Sequence, residues 1–350
     1  MEQRRFPARL ECSACLSRRE IAELINLCPA CGAPLLVIYD LHASRELRNE
    51  IATRPPTMWR YAEVLPPVDI AQIVTLGEGV TPLLPSRRYK NLFVKDESKN
   101  PTRSFKSRGM AAAVTMARRL GASRLAAPTA GNAGAALSAY GARAGLPTFV
   151  AMPRDTPDSI IDECRGYGAE VELVEGVITD AAKRVQQYIR DEGAFDLSTL
   201  KEPYRVEGKK IMGYELLEDL GRLPDVILYP TGGGTGLIGM WKAFDEMNTL
   251  GWIGSERPRM WSVQSSGCAP LVRAFDGGLD HAPEWESPRT VAWGLRVPRA
   301  IGDRLMLRVL RESGGGAIAV NEDEIEAAAD ELRRGEGIDA GPETGAGLLA

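Results

Sequence analysis

The chain has 350 residues, 44% hydrophobic and 26% charged, which fits an ordinary globular protein with room for two lobes and a small appendage. Its formal charge of −4, from 43 basic against 47 acidic residues, excludes any global pull on nucleic acid, so an anion site has to be built locally. No run approaches the roughly 18 to 20 apolar residues that span a bilayer. The basic start MEQRRFPARLEC lacks the apolar stretch of a signal peptide, so a cytoplasmic protein without membrane or nucleic-acid partners is expected.

The first unit expected is residues 1–40. Four of the six cysteines lie there, as Cys12-x2-Cys15 and Cys28-x2-Cys31 separated by twelve residues. In a reducing compartment, two such turns suit four thiolates around a structural zinc, with no coordination position left open for catalysis. Gly32 supplies the tight turn after the second pair. Cys164 and Cys268 read as buried small hydrophobes. With only His42 and His281 in the chain, a histidine triad or a histidine-rich metal site is not expected.

Residues 41–90, with Pro55-Pro56, Pro66-Pro67 and the loop LGEGVTPLLP, read as a wrapping segment. From residue 91, strands and helices alternate. NLFVKDE is a strand, SFKSRGMAAAVTMARRLGA a helix stopped at Gly121, RLAAPTA a strand and NAGAALSAYGARAG an alanine-rich helix. PTFVAMP, AEVELVEG, PDVILYP and MWSVQSS are further strands. DSIIDECRGYG, DAAKRVQQYIRDEG and LIGMWKAFDEMNTLG are the helices between them. This alternation predicts βαβ units and mostly parallel sheets, with ligands held at the carboxyl ends of strands.

Three strand-to-helix loops carry chemistry. In PTRSFKSRG, Ser104 as a helix cap places Lys106 in the first turn, where the helix dipole favours a neutral, nucleophilic amine. Without a partner loop, Lys106 reads equally as a surface residue in a run with Arg103 and Arg108. In PTGGGTG, three consecutive glycines before a helix let backbone amides face a phosphate; the spacing is that of neither a P-loop nor a dinucleotide fingerprint. In TAGNAG, Asn132 and exposed amides suit a carboxylate or a cofactor hydroxyl, or an ordinary cap.

Together, PTRSFKSRG, TAGNAG and PTGGGTG resemble the lysine, asparagine and phosphate loops of fold type II pyridoxal 5′-phosphate (PLP) enzymes, the family of tryptophan synthase β and threonine dehydratase. YRVEGKKIMGYEL at 204–216, VAWGLRVP at 291–298 and GPETGAG at 341–347 extend the likeness. With the CxxC ribbon in front, the chain is most similar to the threonine synthases, from end to end.

The resemblance implies an α/β fold with two parallel-sheet domains and an N-terminal zinc-ribbon-like segment. The large domain would be 41–90 with 211–350, and the small domain 91–210. It implies a Schiff base of PLP on Lys106, which also shuttles protons. Asn132 would bond the cofactor's ring hydroxyl, Gly232, Gly233, Gly234 and Thr235 would cradle its phosphate, and Thr344 would face the pyridine nitrogen, where a neutral hydroxyl moderates the electron sink. Thr129 and Ala130 would take the substrate carboxylate. Ser198, Thr199, Arg205 and Lys210 would take the phosphate of an amino-acid substrate; by composition alone their segment reads as a solvated charged loop. A structural zinc on Cys12, Cys15, Cys28 and Cys31 and a homodimer are also implied.

The implied reaction is that of O-phosphohomoserine and water giving threonine and phosphate. The alternatives are a paralogue of cysteate synthase type, replacing phosphate by another nucleophile, and a serine/threonine dehydratase, which the ribbon disfavours. A zinc-dependent binding protein with a degenerate site is disfavoured by the intact loops. Arg103 and Ser107 stand where the family often has Gly and Asp or Ala. The chain stops six residues after Thr344, short of the usual last helix and strand, which reads as a truncated or shortened form.

Overall fold

A computed structural model describes residues 5–350. Along the chain come β1 (Ala8–Cys12), β2 (Arg18–Glu20), β3 (Leu35–Tyr39), α1 (Arg45–Ala52), β4 (Leu83–Pro85) and β5 (Phe93–Lys95). The alternating part follows: α2 (Lys106–Arg119), β6 (Leu125–Pro128), α3 (Asn132–Ala144), β7 (Thr148–Pro153), α4 (Asp158–Gly166), β8 (Glu170–Val174), α5 (Ile178–Glu192), β9 (Phe195–Asp196) and α6 (Tyr204–Leu220). The last elements are β10 (Val226–Pro230), α7 (Thr235–Thr249), β11 (Arg259–Ser265), α8 (Pro270–Asp276), α9 (Asp303–Glu312), β12 (Gly316–Val320), α10 (Ile325–Glu331) and α11 (Pro342–Leu349).

The chain divides into two compact units. Unit 1 comprises Met1–Val80, Asn100–Ile211 and Thr249–Trp252; unit 2 comprises Thr81–Lys99, Met212–Asn248 and Ile253–Ala350. Residues 41–80, expected with the later part of the chain, group with unit 1.

Unit 1 holds an antiparallel ribbon, order β2-β1-β3, and a four-stranded parallel sheet, order β8-β7-β6-β9. The two central strands read as continuous apolar runs because helices cover both faces of a parallel sheet, and all six residues of β7 are buried. The sheet is closed on one side by α5, which buries Ala181, Val185 and Tyr188 at helical spacing; Tyr188 stacks on Phe149 with ring centroids 3.9 Å apart. Alanine dominates the contact of α2 with α3, where Ala111, Ala112, Ala113, Ala135, Ala136 and Ala139 are buried. Small side chains let the two helix axes approach closely and fix the helices that begin at Lys106 and Asn132.

Unit 2 holds a parallel sheet of order β10-β11-β12 and the β4-β5 hairpin. Its core joins Val263 and Val320 of the sheet to Leu295, Ile325 of α10 and Ala346 of α11. Among the described residues, no helix is long and apolar enough to cross a membrane.

Candidate active site and cysteine cluster

Lys106 is the first residue of α2, as expected, but the cap position is Phe105 and not Ser104, because the chain is already helical in φ and ψ at Phe105; Ser104 Oγ, one residue outside, accepts the Lys106 amide at 3.3 Å. Arg103, exposed at the position before Ser104, has φ of +51°, a left-handed conformation that glycine adopts without a Cβ clash. That accounts physically for glycine at such a position and shows that arginine is accommodated there. The Lys106 ammonium lies 3.7 Å from the centroid of the Phe105 ring, and Lys209 of α6 lies 4.4 Å from the same centroid. Ser107, just after the lysine, shares a hydrogen bond of 2.8 Å with Thr102 Oγ1.

A carboxylate the sequence did not single out organises this region. Glu78, in the LGEGVTP loop, is fully buried and accepts from Trp59 Nε1 at 2.8 Å, the Leu76 amide at 3.0 Å and Tyr140 Oη at 2.6 Å. Burial and the neighbouring Glu78 push the Tyr140 hydroxyl well above its ordinary pKa, and it also shares a hydrogen bond with Ser107. One buried acid thereby ties the wrapping segment to α3 and to the first turn of α2.

In the TAGNAG loop, Thr129 Oγ1 accepts from the Gly131 and Gly134 amides at 3.2 and 3.1 Å. It therefore fixes the loop's own shape. Asn132 is exposed at the start of α3, and Ala130 is half-buried beside it.

The segment expected to be a solvated charged loop is instead a buried helix start. Asp196 Oδ1 accepts the Ser198 amide at 2.9 Å and also the Ser198 hydroxyl, while Oδ2 takes Lys201 at 3.1 Å. Leu200, buried, has φ of +60°. Glu202 Oε2 caps α6 by accepting the Tyr204 and Arg205 amides at 2.7 and 3.1 Å, and burial raises its carboxyl to about 7. Arg205, buried, donates from Nη1 to the Leu197 carbonyl at 2.9 Å; its Nε and Glu202 Oε1 make no hydrogen bond, although the charges of Glu202 and Asp196 act on the guanidinium. Lys210 is fully buried and paired with Glu207 at 2.6 Å. Thr199 is half-buried between these groups along the chain.

Helices α2 and α6 cross backbone to backbone. A Cβ on Gly208 would lie 1.9 Å from the Arg108 carbonyl oxygen, and one on Gly109 would lie 3.1 Å from that of Arg205. The crossing brings the helix carrying Arg205 against the helix carrying Lys106.

Unit 2 carries the glycine loop and Thr344. The loop follows β10 and ends at Thr235, the first residue of α7. Gly234 has φ of +79°, and a Cβ there would strike Met306 Sδ at 2.1 Å; one on Gly232 would strike the Gly294 carbonyl oxygen at 2.3 Å. The Gly294 amide donates to Glu343 at 2.8 Å, and α11 packs through Gly347 on Pro230, so the loop and half-buried Thr344 are built into one corner of this unit. A loop so stripped of side chains at a helix N-terminus fits a phosphate group.

The ribbon cysteines cluster. The sulfur atoms of Cys12, Cys15, Cys28 and Cys31 all lie within 4.8 Å of one another, with Cys12 to Cys31 at 3.4 Å and Cys15 to Cys28 at 3.7 Å. Four thiolates about 2.3 Å from a tetrahedral zinc stand roughly 3.8 Å apart, so the set fits that ion. Both knuckles turn alike: Gly32 and Leu16 adopt φ of +72° and +60°, and their amides return to the Cys28 and Cys12 carbonyls. A hydrogen bond with Ser17 lowers the Cys28 thiol to about 6, while hydrogen bonds with the neighbouring cysteines and burial push Cys31 up to about 12, so the fit to a metal rests on the geometry. Cys164 and Cys268 are buried, and burial raises each to about 11, in keeping with inert core residues.

Residues 74–350 match the family described as Pyridoxal-phosphate dependent enzyme. The chain belongs to the pyridoxal-phosphate dependent enzyme family. This family member is 36% identical over 347 residues to the threonine synthase of Methanosarcina acetivorans, covering 97% of this chain and 84% of that one. It is 34% identical over 337 residues to the threonine synthase of Methanocaldococcus jannaschii, covering 93% and 82%. In fold it is similar to maize serine racemase, at TM-score 0.69 and 21% identity over 88% of this chain and 86% of that one. It is similar also to the threonine deaminase of T.th., at TM-score 0.66 and 25% identity over 77% and 86%. The expected fold type II architecture, with its parallel sheets, is thus the observed one, and this PLP enzyme acts with the cofactor of its family.

Proposed function

We propose that this PLP enzyme is a threonine synthase, a lyase converting O-phospho-L-homoserine and water to L-threonine and phosphate. The observation that carries the reading is the likeness to threonine synthases along 97% of the chain, ribbon included. The buried Arg205 supports it, because its unspent Nε donor at the start of α6 suits an anionic substrate group.

In this reading Lys106, Asn132, Gly232, Gly233, Gly234, Thr235 and Thr344 are the cofactor-holding residues. When bound, PLP supplies an electron sink for carbanionic charge at the substrate's α and β carbons. The Lys106 amine takes and returns protons at those carbons, its helix-start position favouring the neutral base. Amides beside Thr129 and Ala130 hold the substrate carboxylate. Ser198, Thr199 and Arg205 orient the phosphate that leaves, with Lys210 adding the part of its charge that Glu207 does not offset. The enzyme is proposed to work as a cytoplasmic homodimer with no nucleic-acid partner.

The test is a substrate panel with phosphate detection. Phosphate and threonine are expected from O-phosphohomoserine, at about 10- to 200-fold higher kcat/KM than phosphate from O-phosphoserine, which is one methylene shorter. Phosphoserine turnover that requires sulfite would overturn the reading in favour of a cysteate-type replacement. Keto acid from free threonine or serine would do so in favour of a dehydratase.

Zinc is proposed as the resident metal of the four cysteines. Purified protein is expected to contain one zinc per chain, and Cys12→Ser or Cys28→Ser to lose it. Because structural zinc sites are worth about 10–16 kcal/mol in peptide hosts, metal loss is expected to unfold the ribbon, read as new proteolytic cleavage before Tyr39. Metal content unchanged by either substitution would refute the assignment.

A further inference from the structure

The ribbon reaches the segment that carries Ser198, Arg205 and Lys210 through three hydrogen bonds. Asn26 Nδ2 donates to the Asp196 carbonyl at 2.7 Å, at the segment's start. Tyr204 Oη donates to the Ile21 carbonyl at 3.3 Å, at the first residue of α6. Tyr39, the last residue of β3, donates to Glu207 Oε2 at 2.7 Å, and the same oxygen takes Lys210 Nζ at 2.6 Å. The Lys210 ammonium also lies 4.2 Å from the centroid of the Tyr39 ring. Tyr204, Glu207 and Lys210 are fully buried, and Tyr39 nearly so.

We propose that the four-cysteine ribbon is a positioning element for the anion-taking segment 196–210, and that Tyr39 is the positioning residue acting through Glu207 on Lys210. This deepens the threonine synthase reading and rests on it for the identity of the anion. A site held rigid before its ligand arrives spends less binding energy on ordering, and the ribbon contacts both the entry to the segment and the first turns of α6. Tyr39 also shares the Glu207 charge. Without its O–H, the carboxylate loses one donor, draws more on Lys210 and leaves less positive field for an incoming phosphate. Both effects weaken anion binding, and neither touches Lys106.

The test uses the zinc- and PLP-loaded enzyme, comparing Tyr39→Phe with the wild type. Amide hydrogen exchange across 196–210 is expected to speed up while the lysine and glycine loops keep their protection. Inorganic phosphate, used as the probe anion, is expected to bind about tenfold more weakly, a change of about 1.4 kcal/mol from lost preorganisation and weaker field. KM for the phosphorylated substrate rises with it, kcat and PLP affinity stay, and zinc content is unchanged. Tyr204→Phe, which removes a different ribbon contact, is expected to reproduce the local exchange effect. Wild-type exchange and phosphate affinity in Tyr39→Phe would overturn the proposal, as would loss of protection spread evenly through unit 1. If the wild type releases no phosphate from O-phosphohomoserine, the substrate reading fails separately, and the exchange result and inorganic phosphate binding still decide the role of the ribbon.

Discussion

Lys106→Ala is expected to fold, to take up PLP weakly and to lose turnover by at least about 10³-fold, within the range for removing a positioned acid–base group. Three observations make this a clean test. Lys106 opens α2, its side chain is only half-buried, and its amide bond to Ser104 does not involve the side chain. Alanine is also the better helix former, so little stability is at stake. Borohydride treatment followed by peptide mass spectrometry is expected to mark the cofactor on the 104–109 peptide of the wild type and nowhere in the variant. A variant that kept both the mark and the turnover would sink the cofactor assignment.

Gly208→Ala is the second large effect, and its sign separates two physical terms. Inside α6, alanine in place of glycine would by propensity alone stabilise by about 0.5–1 kcal/mol. Here the added Cβ would sit 1.9 Å from the Arg108 carbonyl oxygen and 2.6 Å from its carbon, both backbone atoms that cannot swing away. Overpacking of a rigid contact costs about 1–3 kcal/mol or more, so net destabilisation is expected in urea. Because Arg108 follows Lys106 by two residues, PLP uptake should weaken as well. A variant as stable as the wild type would mean that the two helices are not in backbone contact.

Much of this was legible in the sequence, for identifiable reasons. Cysteine spacing foretold that four sulfur atoms converge, and strand–loop–helix boundaries follow from hydrophobic period and glycine punctuation; α2, α3, β6 and β7 fall where the pattern put them. The start of α6 was not legible. Arg205, Glu207, Lys209 and Lys210 give it the composition of a solvated surface, yet all four are buried, and Glu207 is paired with Lys210. Charge pattern reports solvent exposure only when the partners are distant from the core. Glu78 was missed for a related reason, since its donors Trp59 and Tyr140 are 19 and 62 residues away in sequence and no local motif joins them. Strand β9, two residues long, is below the length at which alternation carries information.

The bonds from Tyr39, Asn26 and Tyr204 to the other side of unit 1 close loops of 168, 170 and 183 residues. The ribbon itself needs only neighbours within a few tens of residues, so during synthesis it is expected to form early and then wait. Its docking surface does not exist until the chain has been made through α6, and long loop closure is slow. Consolidation of the segment bearing Arg205 is therefore a late folding event, set by topology, with the ribbon already in place to receive it.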